Sequence, residues 1–295
     1  MKVRFLQTAD PVVYRRMIEV TSQTVREFCA RNGFEYECFL GIRRGFKPWH
    51  AALNRIPILQ GYINAGYDGW VVYMDADAYI ADLDFDLKAY LADKAGYALI
   101  AAPSNREPPQ WWDINNGVFI VNLGSPKAVE FIGRVNARLD AISDDALRAE
   151  EKWSDVVDDQ GLFHETLYAM PEMQGLLLSD DQEPRILNYK SRFIQQFLRV
   201  VGTVESRVEM LAVHVAEALG EEPPDVAAMR QSRDKFVRAA YRVLLDRDPE
   251  PGGYRYMMDA MERFGSNYEE QLRAVVNSRE YQNRIHAMAA ARSQA

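Results

Sequence analysis

The sequence predicts an α/β protein built on a Rossmann-like mixed sheet, followed by a small all-α domain. The chain opens with a predicted strand at residues 3–6, a helix that ends near Arg31 and a second strand at residues 34–40. This order is the opening of a nucleotide-binding unit. Residues 70–74 are apolar without polar alternation, as in a strand that is buried on both faces. Beyond Asp225 the apolar spacing is helical throughout, which predicts the second domain.

Length and charge exclude some classes of protein. A chain of 295 residues can form one large domain or a medium domain with a small one attached. Its 35 Lys and Arg residues against 43 Asp and Glu residues give a formal charge of -8, without the basic excess of a protein that binds nucleic-acid phosphates. We therefore expect no nucleic-acid partner.

Compartment signals point to the cytoplasm. The N-terminal residues begin a strand pattern at once and lack the apolar core of a signal peptide. No run approaches the ~18 apolar residues that span a bilayer, so we expect no transmembrane segment. Cys29 and Cys38 flank an Asn32-Gly33 turn, where a disulfide is sterically allowed, but buried thiols in a reducing compartment are the expectation. Peripheral contact with the inner face of the membrane stays open.

The strand at residues 70–74 ends in two carboxylates, Asp75 and Asp77. In an open α/β sheet, ligands bind beyond the carboxyl ends of the strands. Two such carboxylates repel each other unless a positive charge lies between them, and hard divalent cations prefer oxygen ligands that leave room for phosphates. The motif therefore predicts a metal and diphosphate site, with a plain Asp-rich turn as the alternative.

The segment from Trp49 through Arg55 to the Asp-x-Asp motif resembles the metal-dependent GT-A glycosyltransferases. It looks closest to the galactosyl- and mannosyltransferase family that also includes plant xyloglucan xylosyltransferases. The resemblance covers most of residues 1–220 and implies a GT-A fold. It also implies a Mn²⁺- or Mg²⁺-dependent enzyme that moves a hexose or pentose from a UDP- or GDP-linked sugar to a glycan or lipid-linked acceptor.

The resemblance assigns donor-binding residues near the first strand and the preceding helix. Thr8 and Ala9 would contact the base and ribose through their backbone, although a simple helix-capping turn explains them equally well. Arg55 would contact donor phosphate or sugar, and without ligand it would pair with Asp75 or Asp77. A basic loop at residues 43–47 is either part of the phosphate site or a solvated charge cluster.

A second matching segment, residues 114–123, contains Asn115 and Gly117 before an apolar run. In the related enzymes an Asn-x-Gly brings its amide and backbone against the donor sugar, so we assign Asn115 and Gly117 to the donor. Gly117 also has a physical reason, because a close backbone approach or a positive φ requires a residue without Cβ. For Asn116, the alternative to a role at the donor is that of a turn residue.

Asp158, Asp159 and Gln160 precede a helical pattern and form the third match. Capping of the helix N-terminus explains one of the two carboxylates. The resemblance implies that an acidic residue and the Gln face the anomeric carbon and the acceptor. A weakly nucleophilic Gln160 amide at that place predicts a retaining transferase.

The fourth match is His214 within residues 208–217, which we interpret as an apolar strand. The resemblance implies that His214 completes the metal shell of Asp75 and Asp77, and a buried core histidine is the alternative. Glu217 stands where the related enzymes place a Gly against the phosphates.

Residues 219–225 are rich in Pro, Gly and charge and mark a domain boundary. We therefore predict a glycosyltransferase domain at residues 1–220 and a helical accessory domain at residues 232–292. The latter resembles a bacterial helical domain of unknown function, and we expect any protein partner to bind there. One alternative is a sugar nucleotidyltransferase, but this sequence has no glycine-rich triphosphate loop near the first strand. A second alternative is a non-catalytic domain that binds a glycan or a partner, and Glu217 favours it.

Overall fold

The computed structural model describes residues 1–104, 107–151, 158–182, 184–188, 190–196, 204–263 and 268–292. The chain divides into two compact units, Met1–Pro223 and Pro224–Ala295. The first unit contains the strands, and the described part of the second is helical. An α/β fold with a small all-α part is therefore confirmed.

The described strands all lie in the first unit. They are β1 (Val3–Ala9), β2 (Glu35–Leu40), β3 (Trp70–Asp75), β4 (Ala78–Ile80), β5 (Leu99–Pro103), β6 (Ile114–Asn122), β7 (Leu177–Ser179) and β8 (Ile194–Gln196). Six of them form the main sheet in the order β2-β1-β3-β6-β5-β7, and β4 pairs with β8 in a small antiparallel sheet. Only β6 runs against its neighbours in the main sheet, so the predicted mixed sheet is confirmed.

Helices follow the strands along the chain. In the first unit they are α1 (Arg15–Asn32), α2 (Arg55–Asn64), α3 (Leu87–Leu91), α4 (Pro126–Asp140), α5 (Asp144–Ala149), α6 (Asp159–Tyr168) and α7 (Val204–Leu219). In the second unit they are α8 (Val226–Ala240), α9 (Pro251–Arg263), α10 (Tyr268–Val276) and α11 (Arg279–Arg292).

Strand β3 shows why the main sheet is covered on both faces. Val72 and Met74 pack into one apolar cluster together with Phe28 of α1. Tyr73, on the other face, packs into a second cluster with Phe163 of α6 and with residues of α2 and α4. Side chains alternate between the two faces of a strand, so a strand buried on both faces is apolar at every position.

The predicted strand at residues 208–217 is wrong, because these residues lie within helix α7. Val208, Leu211 and Val215 are buried in one cluster with residues of α1. Their spacing of three and four residues is the helical period. His214 is therefore on a helix and does not follow a strand.

The run Arg185-Ile186-Leu187-Asn188 predicts a short strand by its apolar centre, and this prediction is also wrong. Leu187 makes only an isolated bridge to Ile194, and the strand is β8, which follows it. In the β4–β8 pair, Ala78 lies opposite Gln196. Because Ala78 comes directly after Asp77, this pairing brings Gln196 beside the Asp-x-Asp motif.

Both cysteines are free thiols. Cys29 is buried in the core, and that burial raises the pKa of its thiol to about 12. Burial also raises the pKa of Cys38. The expectation of unpaired thiols is therefore confirmed, although Cys38 is only partly buried.

The second unit has its own apolar core. Val237, Tyr241, Leu245, Met257 and Met261 form this cluster between its helices. In the described parts of both units, no helix is long and apolar enough to cross a membrane.

Candidate active site

The candidate site lies at one edge of the main sheet. The parallel strands β1 and β3 end there, and the antiparallel β6 begins there. Thr8 and Ala9 close β1, Asp75 closes β3, and the turn to β4 carries Asp77. A cavity of about 580 Å³ opens at this edge.

Most of the predicted site residues line this one cavity. They are Thr8, Ala9, Asp75, Asp77, Asn115, Gly117, Asp158, Asp159 and Gln160. Three strands and the start of α6 thus bring together residues that are up to 152 positions apart in the sequence, from Thr8 to Gln160. This convergence follows from the β1-β3-β6 strand order, which sequence patterns alone do not specify.

Arg55 joins the carboxylates of this site from behind the cavity wall. Its side chain is buried, with Nη2 2.7 Å from Asp75 Oδ1 and 3.3 Å from Asp159 Oδ2. Nη1 donates to the backbone oxygen of Asn116, and the guanidinium lies 4.2 Å from the ring centre of Tyr73. Burial by itself would lower the pKa of Arg55, but the charges of Asp159 and Asp75 outweigh it and raise that pKa.

Asp75 is further fixed by the hydroxyl of Tyr73. That hydroxyl lies 2.9 Å from Asp75 Oδ1 as a donor and 3.3 Å from Thr8 Oγ1. Burial raises the pKa of Tyr73 well above its ordinary value, so the hydroxyl keeps its proton at neutral pH. The oxygen Oδ1 of Asp75 therefore accepts from two donors, Arg55 and Tyr73.

Asp77 is buried and has two partners that the sequence analysis missed. Gln196 Nε2 lies 3.0 Å from Asp77 Oδ1 and 3.2 Å from Asp75 Oδ2, and Nη2 of Arg207 donates to Asp77 Oδ2. Burial and the charge of Asp75 raise the pKa of Asp77 to about 6, against the opposing charge of Arg207. The two acids of the motif thus differ in environment.

Signals for both missed residues are present in the sequence. Gln196 ends the short run Phe193-Ile194-Gln195-Gln196, whose apolar start is typical of a buried strand. Arg207 directly precedes residues 208–217, whose apolar residues have helical spacing although the sequence analysis assigns them to a strand. Their positions near the motif depend on two long-range contacts that the sequence pattern does not contain, the pairing of β8 with β4 and the packing of α7 on α1.

The three residues at the start of α6 differ in their contacts. Asp158 caps the helix, since its Oδ1 accepts from the backbone N–H of Gln160 at 3.1 Å. Asp159 is buried, accepts from Asn116 Nδ2 at 2.9 Å and pairs with Arg55. Capping therefore accounts for Asp158, and Asn116 is a strand residue that holds Asp159.

Gly117 lies where β6 passes Asp75 and Gln196. A Cβ at this position would be 2.8 Å from Asp75 Oδ2 and would collide with the amide of Gln196. Gly117 has no positive φ, so close approach is what requires a glycine here. The Oδ1 of Asn115 accepts from the N–H of Gly117 at 2.8 Å, which fixes the Asn115 side chain along the same strand.

His214 does not line the cavity. It lies on α7 with its Nδ1 3.2 Å from Glu217 Oε2, and its ring stacks on Tyr79 at 6.1 Å between centroids. No strand directly precedes His214, because residues 204–219 form helix α7. His214 is not a buried core residue either, because its side chain is 38% exposed. Glu217 likewise belongs to the helix, so it does not replace a glycine that follows a strand.

The basic loop at residues 43–47 directs its arginines away from the cavity. Arg44 pairs with Asp144 of α5, and Arg43 lies 4.5 Å from the ring centre of Phe39. Trp49, just after the loop, does line the cavity, and its Nε1 donates to Glu150 Oε2 at 2.9 Å. Trp49, next to the loop, therefore belongs to the site, whereas the charge of Arg44 is paired with Asp144 of α5.

No protein-family model and no curated protein sequence matches the chain. Among solved structures, the chain is similar to a glycosyltransferase involved in the glycosylation of the major capsid of PBCV-1. That similarity has a TM-score of 0.51 at 17% identity and covers 72% of this chain and 98% of the other. It shows the GT-A glycosyltransferase fold, while the narrower relationship to galactosyl-, mannosyl- and xylosyltransferases stays a prediction.

Two further solved structures share this similarity at a lower level. The glycosyltransferase GlyE of Streptococcus pneumoniae TIGR4 gives a TM-score of 0.45 at 12% identity, over 79% of this chain and 64% of GlyE. The chain thus spans less than two thirds of GlyE. A β-1,4-galactosyltransferase 7 mutant of Drosophila, in complex with manganese, UDP-Gal and xylobiose, gives 0.39 at 10% identity, over 68% and 72%.

Proposed function

We propose that this chain is a glycosyltransferase that moves a hexose or pentose from a UDP- or GDP-linked sugar to a hydroxyl of a glycan or lipid-linked acceptor. The observation that supports this most is the convergence of Asp75, Asp77, Asp159 and Asn115 on one cavity at the carboxyl ends of β1 and β3. This is the place where open α/β sheets bind nucleotides. The GT-A fold agrees with this assignment.

A divalent cation, Mn²⁺ or Mg²⁺, fits the carboxylates of the motif. Asp75 Oδ2 and Asp77 Oδ1 both accept from the nitrogen Gln196 Nε2, so each carboxylate turns one oxygen toward the same side chain. Hard oxygen ligands of this kind suit both ions. We propose Asp75 and Asp77 as ligands and leave His214 out, because it pairs with Glu217 on α7. When bound, the ion supplies positive charge to the departing diphosphate.

The donor would be held by the residues that surround the motif. Thr8 and Ala9 at the end of β1 would contact the base and ribose through their backbone, and Asn115 and Gly117 would contact the sugar; all four line the cavity. Arg55 holds Asp75 and Asp159 in fixed positions, so its role in donor binding includes orientation of both carboxylates. Fixed orientation of reactants lowers the entropic part of the barrier.

The acceptor side would be formed by Asp158, Asp159 and Gln160. Asp159 is paired with Arg55 and accepts from Asn116, so contacts within the protein already hold this carboxylate in place. We therefore keep Gln160 as the residue that faces the anomeric carbon and Asp159 as an orienting group, as in a retaining transferase. The enzyme would act in the cytoplasm, with the helical second unit as the docking element for a protein partner.

Binding of donor nucleotides tests this function. Isothermal titration with a panel of UDP- and GDP-sugars in Mn²⁺ should find at least one that binds the full chain. Asp75→Asn should weaken that binding by at least 10-fold, whereas Asp84→Asn should leave it unchanged. Asp84 is a matched control because its exposed side chain pairs with Arg31 at 3.7 Å and does not line the cavity. A folded chain that binds no nucleotide sugar would contradict the proposal.

A further inference from the structure

We propose that Gln196 supplies, through its side-chain oxygen Oε1, a third protein ligand to a divalent cation held by Asp75 and Asp77. This inference rests on the metal site of the proposed function and names the residue that completes it. Gln196 takes the place of His214, the residue that the resemblance implies as the third ligand. Gln196 lies on β8, outside the four segments that resemble the glycosyltransferases.

The first observation is an unsatisfied oxygen. Gln196 is 4% exposed and lines the cavity, and its Oε1 is fully buried with no hydrogen-bond partner in the described part of the protein. Buried side-chain oxygens almost always have a partner, because an unpaired one has lost its bonds to water without replacement. The nitrogen of the same amide faces the two carboxylates, so Oε1 is the atom of this group that the described protein leaves without a use.

The second observation is the position of the amide group. Its nitrogen lies 3.0 Å from Asp77 Oδ1 and 3.2 Å from Asp75 Oδ2. In an octahedral shell with metal–oxygen distances of about 2.1 Å, neighbouring ligand atoms are about 3.0 Å apart. The amide atom that faces the carboxylates is therefore at the distance of a neighbouring ligand in such a shell.

Rotation of the amide by half a turn exchanges its oxygen and nitrogen. Which of the two atoms faces a neighbour is decided by the hydrogen bonds and charges around the amide. Without a cation, two negative oxygens select the N–H₂ group, as the structure shows. With a cation between the carboxylates, the same position selects Oε1, and the amide then needs no movement of its backbone.

The remaining oxygens of the two acids are already used by the protein. Asp75 Oδ1 accepts from Arg55 and Tyr73, and Asp77 Oδ2 accepts from Arg207. These bonds orient both carboxylates with their other oxygens toward Gln196. Partners of this kind fix the orientation of metal ligands and tune their affinity.

The backbone around Gln196 keeps its amide at this place. β8 pairs with β4 immediately after Asp77, with Ala78 opposite Gln196. On the other side, Gly117 leaves the space that a Cβ would take from the amide and from Asp75 Oδ2. Three protein oxygens would leave three positions of a six-coordinate ion for diphosphate oxygens and water.

Mn²⁺ binding without nucleotide tests the inference. The free Mn²⁺ signal in electron paramagnetic resonance gives the affinity of the full chain for the ion alone. Gln196→Ala should weaken Mn²⁺ binding by roughly 10- to 100-fold. If the amide served only as a hydrogen-bond donor that competes with the ion, the same change would leave Mn²⁺ affinity unchanged or raise it. That result would overturn the inference.

Two further variants separate ligation from a loss of structure. Gln196→Glu keeps an oxygen but has no N–H₂ group, and it should restore Mn²⁺ affinity to the wild-type level or above. A folded Gln196→Glu chain that binds Mn²⁺ as weakly as Gln196→Ala would overturn the inference. Gln195→Ala is the matched control, because Gln195 is on the same strand and contacts Tyr79 and the backbone of Ser191. It should change Mn²⁺ affinity less than about twofold, and an equal loss there would also overturn the assignment.

The inference and the proposed function can fail separately. Turnover of a nucleotide sugar together with unchanged Mn²⁺ affinity in Gln196→Ala would reject only the ligand. Mn²⁺ binding that depends on Gln196, in a chain that binds no nucleotide sugar, would support the ligand and reject the donor assignment.

Discussion

Arg55 Nη2 lies 2.7 Å from Asp75 Oδ1, so the buried guanidinium at the start of α2 neutralises the carboxylate that ends β3. We predict that Arg55→Ala lowers the free energy of unfolding by about 3–5 kcal/mol, because removal of one partner leaves a buried charge uncompensated. Urea denaturation measures this loss. Arg15→Ala breaks an exposed pair with Glu19 on α1 and should cost less than about 1 kcal/mol. Equal losses in both variants would show that the Arg55 network adds nothing.

Gly117→Ala should disturb the site more than the fold. The added methyl group would displace Asp75 Oδ2 or the Gln196 amide, and overpacking of this kind costs about 1–3 kcal/mol. Gly61→Ala is the control, since no described atom lies within 4 Å of a Cβ there and alanine favours the helix by about 0.5–1 kcal/mol. Thermal unfolding and Mn²⁺ binding check both variants. Normal Mn²⁺ affinity in Gly117→Ala would contradict the close approach that we describe.

The raised pKa of Asp77 predicts how stability depends on pH. Burial raises this pKa from 3.8 to about 6 in the folded chain. Well below pH 3.8 the group is protonated in both states. Its contribution to stability is lost progressively as the pH rises from 3.8 through 6, because only the unfolded state ionises readily in that window. Asp77→Asn lacks this titration. Relative to that variant, the unfolding free energy of the metal-free wild type should fall by about 3 kcal/mol at most between pH 4 and pH 7.5.

Denaturant unfolding of both proteins at several pH values, with a chelator present, measures this difference. A constant difference between wild type and Asp77→Asn across the range would mean that Asp77 has an ordinary pKa. A difference of the opposite sign would mean that Arg207 outweighs the effect of burial and of Asp75 on this group.

Stereochemistry of the product tests the roles at the start of α6. Because Asp159 is paired with Arg55, we expect retention, with an α-linked product from an α-linked donor. Gln160→Ala should be slowed but active, and Asp159→Ala should be more damaged. Proton NMR of the product reads the anomeric coupling. A large coupling from a gluco- or galacto-configured donor indicates a β-linkage and would make Asp158 or Asp159 a general base.

The sequence predicts the main sheet well because its strands are either buried on both faces or regularly alternating. The run from Trp70 to Asp75 is apolar up to its last residue, and that residue is where the strand ends. Asn115, Gly117 and Asp159 are predicted from their motifs. The pairing of β6 with β3 brings Asn115 and Gly117 to the end of β3, and the hydrogen bond to Asn116 brings Asp159 of α6 to the same edge. Strand order depends on long-range pairing, which local patterns do not contain.

The failures concern short or ambiguous apolar runs. Residues 208–217 are rich in Val, Ala and Leu, which suit either a helix or a strand, and only the spacing of Val208, Leu211 and Val215 favours the helix. β8 has three residues and gives almost no periodic signal. As a result, Gln196 and Arg207 were missed and His214 was placed on a strand that does not exist.

Release of UDP or GDP from a panel of nucleotide sugars, measured with Mn²⁺ for the wild type and for Asp77→Ala, shows whether this chain is a metal-dependent glycosyltransferase. We expect the wild-type chain to release nucleotide from at least one donor, and we expect a chelator or the Asp77→Ala change to abolish this release. A folded wild-type chain that releases nucleotide from none of the donors would contradict it, as would a near wild-type rate of Asp77→Ala at saturating metal.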